Sequence, residues 1–267
     1  MRVLLTALAL MLFAPLAMAH EYYLMPYSFT PALGEEFTVS HRLGQNFKGN
    51  EIPYISRWNI RSELWVAGQK RAVAGTDGDR PALKMTVNTP GLAIVAHQGN
   101  VDFLTFSSWE KFVAYVEKEG LTHALAPSEN GTKPKEKLKE GYARYAKTLV
   151  QVGGGSAGLD QPVGLKIELI AKKNPNALMA DEAMPVQLLY DGNPMAGITV
   201  KVFETQGEDF GLKLITDENG MVSVPPAGPG PTMLNAIHMT DPQGPEALEG
   251  KAHWESFWAS LTYSRAR

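Results

Sequence analysis

The sequence predicts a mainly β protein. It reads as two antiparallel β-sandwich domains of immunoglobulin-like or carboxypeptidase-regulatory-like type, with two connecting helices. Three observations predict it. Short β-rich runs recur from Tyr22 to Phe106 and again after Gly164. Turn formers separate them at spacings that suit an antiparallel sandwich. The 25 Gly and 18 Pro of the 267 residues are enough to punctuate many strands and too few for a collagen-like or low-complexity chain.

The first element is an address. Arg2 gives a positive start, Val3 to Leu16 carries no charge, and Ala17-Met18-Ala19 supplies small residues at a cleavage site. The run is shorter than the roughly 20 apolar residues a spanning helix needs. Residues 1–19 are therefore expected to be a signal peptide. The mature chain should start at His20, be periplasmic, and carry no transmembrane segment. Residues 20–125 should form an N-terminal sandwich with a terminal helix. Residues 126–160 read as a polar linker with a second helix and a Gly-rich joint, and 161–267 as a small C-terminal sandwich.

Within the first unit, Phe37 to His41, Glu63 to Val66, Leu83 to Val87 and Leu92 to Ala96 read as strands. Leu33-Gly34, Thr76-Asp77-Gly78-Asp79 and Pro90-Gly91 turn the chain between them. A helix follows: Ser107 and Glu110 form a capping box, and Trp109, Phe112, Val113 and Val116 share one face. Gly120 is a natural residue to end it. Pro134 is read as opening the second helix, with Leu138, Tyr142, Tyr145 and Leu149 on one face. Beyond Gly164, period-two alternation returns at Leu165–Ile170, Val186–Tyr190, Ile198–Phe203 and Met221–Val224.

Composition excludes several functions. Lys and Arg total 25 against 28 Asp and Glu, so no basic excess exists to neutralise a phosphate backbone, and nucleic acid is not expected as a partner. Without Cys there is no thiol nucleophile, disulfide, thiolate zinc site or iron–sulfur cluster. Gly153, Gly155 and Gly158 spell a dinucleotide-binding pattern, and Gly154, Ser156 and Gly158 a nucleophile elbow. Both need a helix directly after. Leu159-Asp160-Gln161-Pro162 resists one, so the run reads as a joint. Glu119 and Glu140 cannot be matched into an acid–base dyad from sequence. No catalytic residue is assigned, and the chain is read as a non-enzyme.

The six histidines are His20, His41, His97, His123, His238 and His253. None stands two or four residues from another, so any metal site must be assembled by the fold. Cleavage after Ala19 would give His20 a free amine beside its imidazole, a chelating pair near neutral pH. Each of the others, taken singly, suits a structural role. Met25, Met221, Met233 and Met239 show no clustered spacing and read as core. Trp254, Phe257 and Trp258 fit either a sugar platform or an apolar closing edge, and burial is the default for such aromatics.

Several stretches together resemble a family of exported bacterial proteins of unknown function, labelled as the periplasmic component of cobalt or nickel uptake. They are Ala19-His20-Glu21-Tyr22-Tyr23-Leu24-Met25-Pro26, Phe112 through His123, Tyr145–Val150, Pro162–Leu165, Asn235-Ala236-Ile237-His238-Met239 and Trp254–Thr262. Tyr22-Tyr23 stand where the family usually has Phe-Trp. Val186 to Pro225 separately resembles the small sandwich appended to some carboxypeptidases, a scaffold without catalysis. The family resemblance implies a metal-handling role. It raises His20, His123 and His238 above the other histidines, while His97 and His253 stay with structural roles. The expected ligands are His20, His238 and His123, with Glu255 as an oxygen donor. The expected cargo is nickel or cobalt, with copper or zinc also suited to imidazole ligands. The expected partner is an inner-membrane or outer-membrane metal transporter. Two other readings stay open: an envelope interaction module without metal, and a copper-binding histidine-brace carrier or oxidase.

Overall fold

The computed structural model describes residues 20–204, 211–226, 228, 230–243 and 251–265. The expected signal peptide, residues 1–19, lies outside them. The N-terminal part contributes β1 (Glu21–Pro26), β2 (Glu36–Gly44), β3 (Asn50–Ile52), β4 (Asn59–Val66), β5 (Gln69–Ala72), β6 (Leu83–Thr86), β7 (Gly91–Gly99) and β8 (Asp102–Thr105). Helices α1 (Trp109–Glu119) and α2 (Ala126–Glu129) follow, then the long strand β9 (Lys139–Val152). The rest comprises β10 (Ile167–Ala171), β11 (Met184–Tyr190), β12 (Asn193–Pro194), β13 (Thr199–Glu204), β14 (Leu212–Ile215), β15 (Met221–Val224), β16 (Pro231–Thr240) and β17 (Trp254–Ser264).

Among the described residues the strands form three sheets, in a mainly β arrangement with two α-helices. A large sheet runs β14-β13-β16-β17-β9-β7-β4-β5, with β8 also paired to β9. Its neighbours are antiparallel except β17 and β9, which run parallel. Strand β2 pairs with β1, β3 and β6 in a second sheet, and β11 with β10, β12 and β15 in a third.

The large sheet is shared. On one face Leu64, Ala93, Val95, Ala146 and Val150 pack against Tyr22, Leu24, Phe37 and Val39 of the β1–β2 sheet. On the other, Leu92, Ile94, Tyr145 and Leu149 join Leu234 and Leu261, and pack against Ile167, Leu169, Val186 and Leu188 of the β10–β11 sheet. Two sandwiches therefore exist, but they hold one sheet in common.

This corrects the expected second helix from Pro134 and the linker assigned to 126–160. Residues 139–152 are a strand at the middle of the large sheet. The apolar spacing that mimics a helix comes from a strand covered on both faces, whose interior reads as a nearly continuous buried run. Tyr142, Tyr145, Thr148, Val150 and Val152 supply the β-favouring residues. The Gly-rich run after it is a bonded turn: Leu92 N–H donates to Ala157 O at 2.9 Å, and Asn174 Nδ2 donates to Gly158 O at 3.0 Å.

Helix α1 forms as read, with its cap moved by one residue. Ser108 Oγ accepts from Lys111 N–H at 3.4 Å, and Gly120 closes the helix at φ 76°. Phe112 and Val116 bury against Ile237, Met239, Trp254 and Trp258 of β16 and β17. Trp254 and Trp258 thus face α1, while Phe257 faces the opposite core. That makes them a core edge and not a sugar platform.

Candidate functional site

Three positions that face the β1–β2 core carry polar side chains. On β2, Phe37 and Val39 face it, so alternation brings His41 to the same side. On β7, Ala93 and Val95 do the same for His97. On β1, Tyr22 and Leu24 face inward with them. The two sheets part at this end and leave a cleft of about 550 Å³, lined by Tyr22, His41, His97, Trp58, Asp102, Tyr142 and Arg144. Ile52, Pro53, Ile55, Ile60 and Val101 make its walls largely apolar.

His41 and His97 are 4% and 5% exposed, with ring centroids 4.8 Å apart. Tyr22 packs against both, at 5.6 Å and 5.2 Å. His97 Nδ1 lies 3.0 Å from Ser62 Oγ, which orients the ring. His41 Nε2, Tyr22 Oη and Arg144 Nε are buried without a hydrogen-bond partner among the described residues.

Electrostatics keep both rings neutral. Burial lowers His41 to about 4. Burial, then His41 and Arg144, hold His97 well below the usual histidine range. Burial pushes the Tyr22 phenol up, against a smaller opposing pull from Arg144. Two imidazoles with free lone pairs and a protonated phenol can accept a cation or a hydrogen-bond donor. They are not arranged to hold charge of their own.

The structure places the expected ligands elsewhere. His20 stands immediately before β1 and does not line the cleft, although β1 itself does. His123 Nε2 lies 2.9 Å from Met239 O. His238 packs on Tyr190 at 4.7 Å, and burial, then His123 and Lys166, lower it. Glu255 lies opposite Thr240 and accepts from Gln243 N–H at 2.9 Å. His123, His238 and Glu255 therefore share one end of β16 and β17, whereas His20 precedes β1 of a different sheet. Among the described residues, no group of three or more His, Asp or Glu could hold a metal by itself. His253 Nδ1 accepts from Lys139 N–H, a structural role as expected.

The sequence reading missed the His41–His97 pair. One signal was available: each histidine continues a run of core-facing alternation, where a polar side chain is out of place.

Comparison with known proteins gives a family and little else. The family described as domain of unknown function DUF4198 matches residues 17–240, so the chain belongs to it. That span holds His20, His41, His97, His123 and His238 but not Glu255. No curated protein matches. Among solved structures, the D0–D1 domain of intimin is 11% identical, covers 91% of this chain and 97% of its own, and has a TM-score of 0.23. A mutant of Salmonella alpha-2-macroglobulin is 12% identical, covers 94% of this chain and 15% of its own, and has a TM-score of 0.24. Likenesses this slight carry no argument about fold or function.

Proposed function

We propose that this member of the DUF4198 family is an exported, non-enzymatic binding protein for a divalent first-row transition metal. Nickel or cobalt is the first choice, and the site is the cleft between the β1–β2 sheet and the large sheet. The observation that carries the reading is the buried His41–His97 pair. Neutral imidazoles are the form that binds metal. With metal–nitrogen bonds of about 2.0–2.1 Å, two rings on one ion put their centroids about 4.5–5.5 Å apart. The observed 4.8 Å lies in that range. His41 Nε2 has no other partner among the described residues, and Ser62 on His97 is the outer hydrogen bond that metal-binding imidazoles usually carry.

Export is supported by the leader pattern of residues 1–19. Removing it would bare the His20 amine two residues ahead of Tyr22, on the strand that lines the cleft. That supports the amine as a further donor. A transporter remains the partner that a periplasmic metal binder would serve.

The test titrates nickel, cobalt, copper and zinc, one at a time, into metal-free protein starting at His20. Calorimetry reads affinity and elemental analysis reads stoichiometry. One equivalent should bind. His41→Ala and His97→Ala should each weaken binding on the order of a hundredfold, the upper end of the roughly 10–100-fold that outer-shell changes cost. His123→Ala and His238→Ala should leave it unchanged. Absence of binding, or loss only in the latter pair, overturns the reading. An added residue ahead of His20 weakens binding if the amine is a ligand.

A second reading rests on size. A cleft of about 550 Å³ suits a small organic molecule, and Trp58 and Arg144 offer it an aromatic wall and a cation. Thermal stabilisation of metal-free protein by small organic anions, unchanged by added metal, would favour this second reading.

A further inference from the structure

Lys147, on β9, points into the largest apolar core, on the side of Tyr145 and Leu149. Its side chain is 1% exposed. Its Nζ lies 2.7 Å from Asp160 Oδ1, 3.2 Å from Gln161 O and 3.6 Å from Glu168 Oε1. The two carboxylates are as buried as the lysine. Asp160 is held in place by two backbone donors, Gln161 N–H at 2.9 Å and Ala171 N–H at 2.8 Å. Glu168, on β10, accepts from Val163 N–H at 2.7 Å.

One cation and two anions in an apolar interior are costly to desolvate, by several kcal/mol per ion. Burial pushes both carboxyls up, towards the protonated acid, against the pull of Lys147. An amine held against an acid, with a second carboxyl in reach of the same nitrogen, is also an amide-forming arrangement. Fixed neighbours of this kind react as if at effective concentrations of about 10⁵–10⁸ M, and a dry site does not return water to the product.

We propose that Lys147 and Asp160 condense into an intramolecular amide, with Glu168 carrying the proton. The atoms balance. With Asp160 as the acid and Glu168 as the carboxylate, Glu168 takes a proton from the Nζ ammonium, the freed nitrogen lone pair attacks Asp160 Cγ, and a C–N bond forms. Glu168 delivers that proton to the departing hydroxyl, the C–O bond breaks, one water leaves, and Glu168 keeps the second proton that the nitrogen gives up. No oxidant or cofactor is consumed. The product ties β9 to the segment before β10 in a chain that has no cysteine for a disulfide.

The test is peptide mass mapping of the full purified protein after denaturation and trypsin. Condensation predicts one internally closed peptide, residues 145–166, uncut after Lys147 and lighter by one water. Ionic Lys147 predicts two separate peptides, 145–147 and 148–166, at full mass, and that result from folded protein overturns the proposal. Asp160→Asn keeps the shape and should close with loss of ammonia, to the same product mass. Glu168→Gln should give mostly the two open peptides. Full closure in Glu168→Gln overturns the role given to Glu168. The second buried lysine, Lys201, held by Glu119 at 2.5 Å and Glu21 at 3.3 Å, provides a check on location: closure mapped there, with 147 cut, also overturns the assignment.

Discussion

The two faces of the large sheet carry two buried ionisable clusters almost back to back. Ala96 pairs with Lys147 and His97 with Ala146, so His97 and Lys147 are near neighbours that point to opposite sides. On Lys147's side the cluster is saturated: every polar atom that approaches Nζ already has a partner. On His97's side it is open, with His41 Nε2 and Tyr22 Oη unpartnered. The chemistry of the groups explains the difference. Imidazole leaves an apolar site uncharged by giving up a proton near neutral pH. Lysine resists this, so it brings its counter-ions with it. A cluster that relaxes by losing charge keeps free lone pairs, which is why the histidine side is the candidate site.

The largest expected effect breaks the saturated side. Lys147→Ala should cost at least about 3–5 kcal/mol, the usual penalty for removing one partner of a buried charge cluster, because it removes the amide link as well and leaves two buried carboxyls without their cation. Urea unfolding at neutral pH reads it. A loss under about 1 kcal/mol would mean that the carboxyls rest without their cation, and the contrast between the faces would fail.

Next comes the open side, read by pH in metal-free protein. The folded state holds His41 at about 4, while the unfolded chain binds that proton near 6.5. The unfolded state therefore carries more protons between these values, and stability falls as pH drops from about 6.5 to about 4. For His41 alone the loss is about 3 kcal/mol, and His97 adds to it in the same direction. Urea titrations across this range should show the slope, and His41→Phe should flatten it. An unchanged slope in that variant would remove the premise of a neutral pair.

Glu140 sharpens the comparison because its sign is opposite. Burial raises this carboxyl to about 7, despite hydrogen bonds from Ser256 and Tyr115, with Glu119 adding a smaller push. Here the folded state holds a proton that the unfolded chain releases near 4.5. Its contribution is full below that value and is lost as pH rises towards about 7. The change is at most about 3 kcal/mol. Glu140→Gln should keep the stability at pH 8 that the natural chain loses.

The smallest effect probes orientation. Ser62→Ala removes the hydrogen bond to His97 Nδ1, at about 1 kcal/mol of stability and about tenfold in metal affinity. A metal affinity unmoved while stability falls would confine Ser62 to the fold.

Much of the fold was legible because local patterns repeat. Phe37 to His41, Leu92 to Ala96 and Val186 to Tyr190 read as strands and are strands. Trp109 to Gly120 read as a helix and is one, since cap, stripe and terminal glycine agree. Strand β9 was misread because a segment buried on both faces loses the period of two that marks a strand. The His41–His97 pair, 56 positions apart along the chain, left only a faint trace. Each looked like a single polar residue ending an apolar run.

Sequence by itself settled that this chain is mainly β, lacks cysteine chemistry and carries no excess of positive charge, because those properties sum over residues or repeat every two. Only the tertiary structure decided that two sandwiches share one sheet, and which ionisable groups meet on each side of it. Strand order and register bring together residues far apart in the chain, and burial then fixes the charge each group can keep.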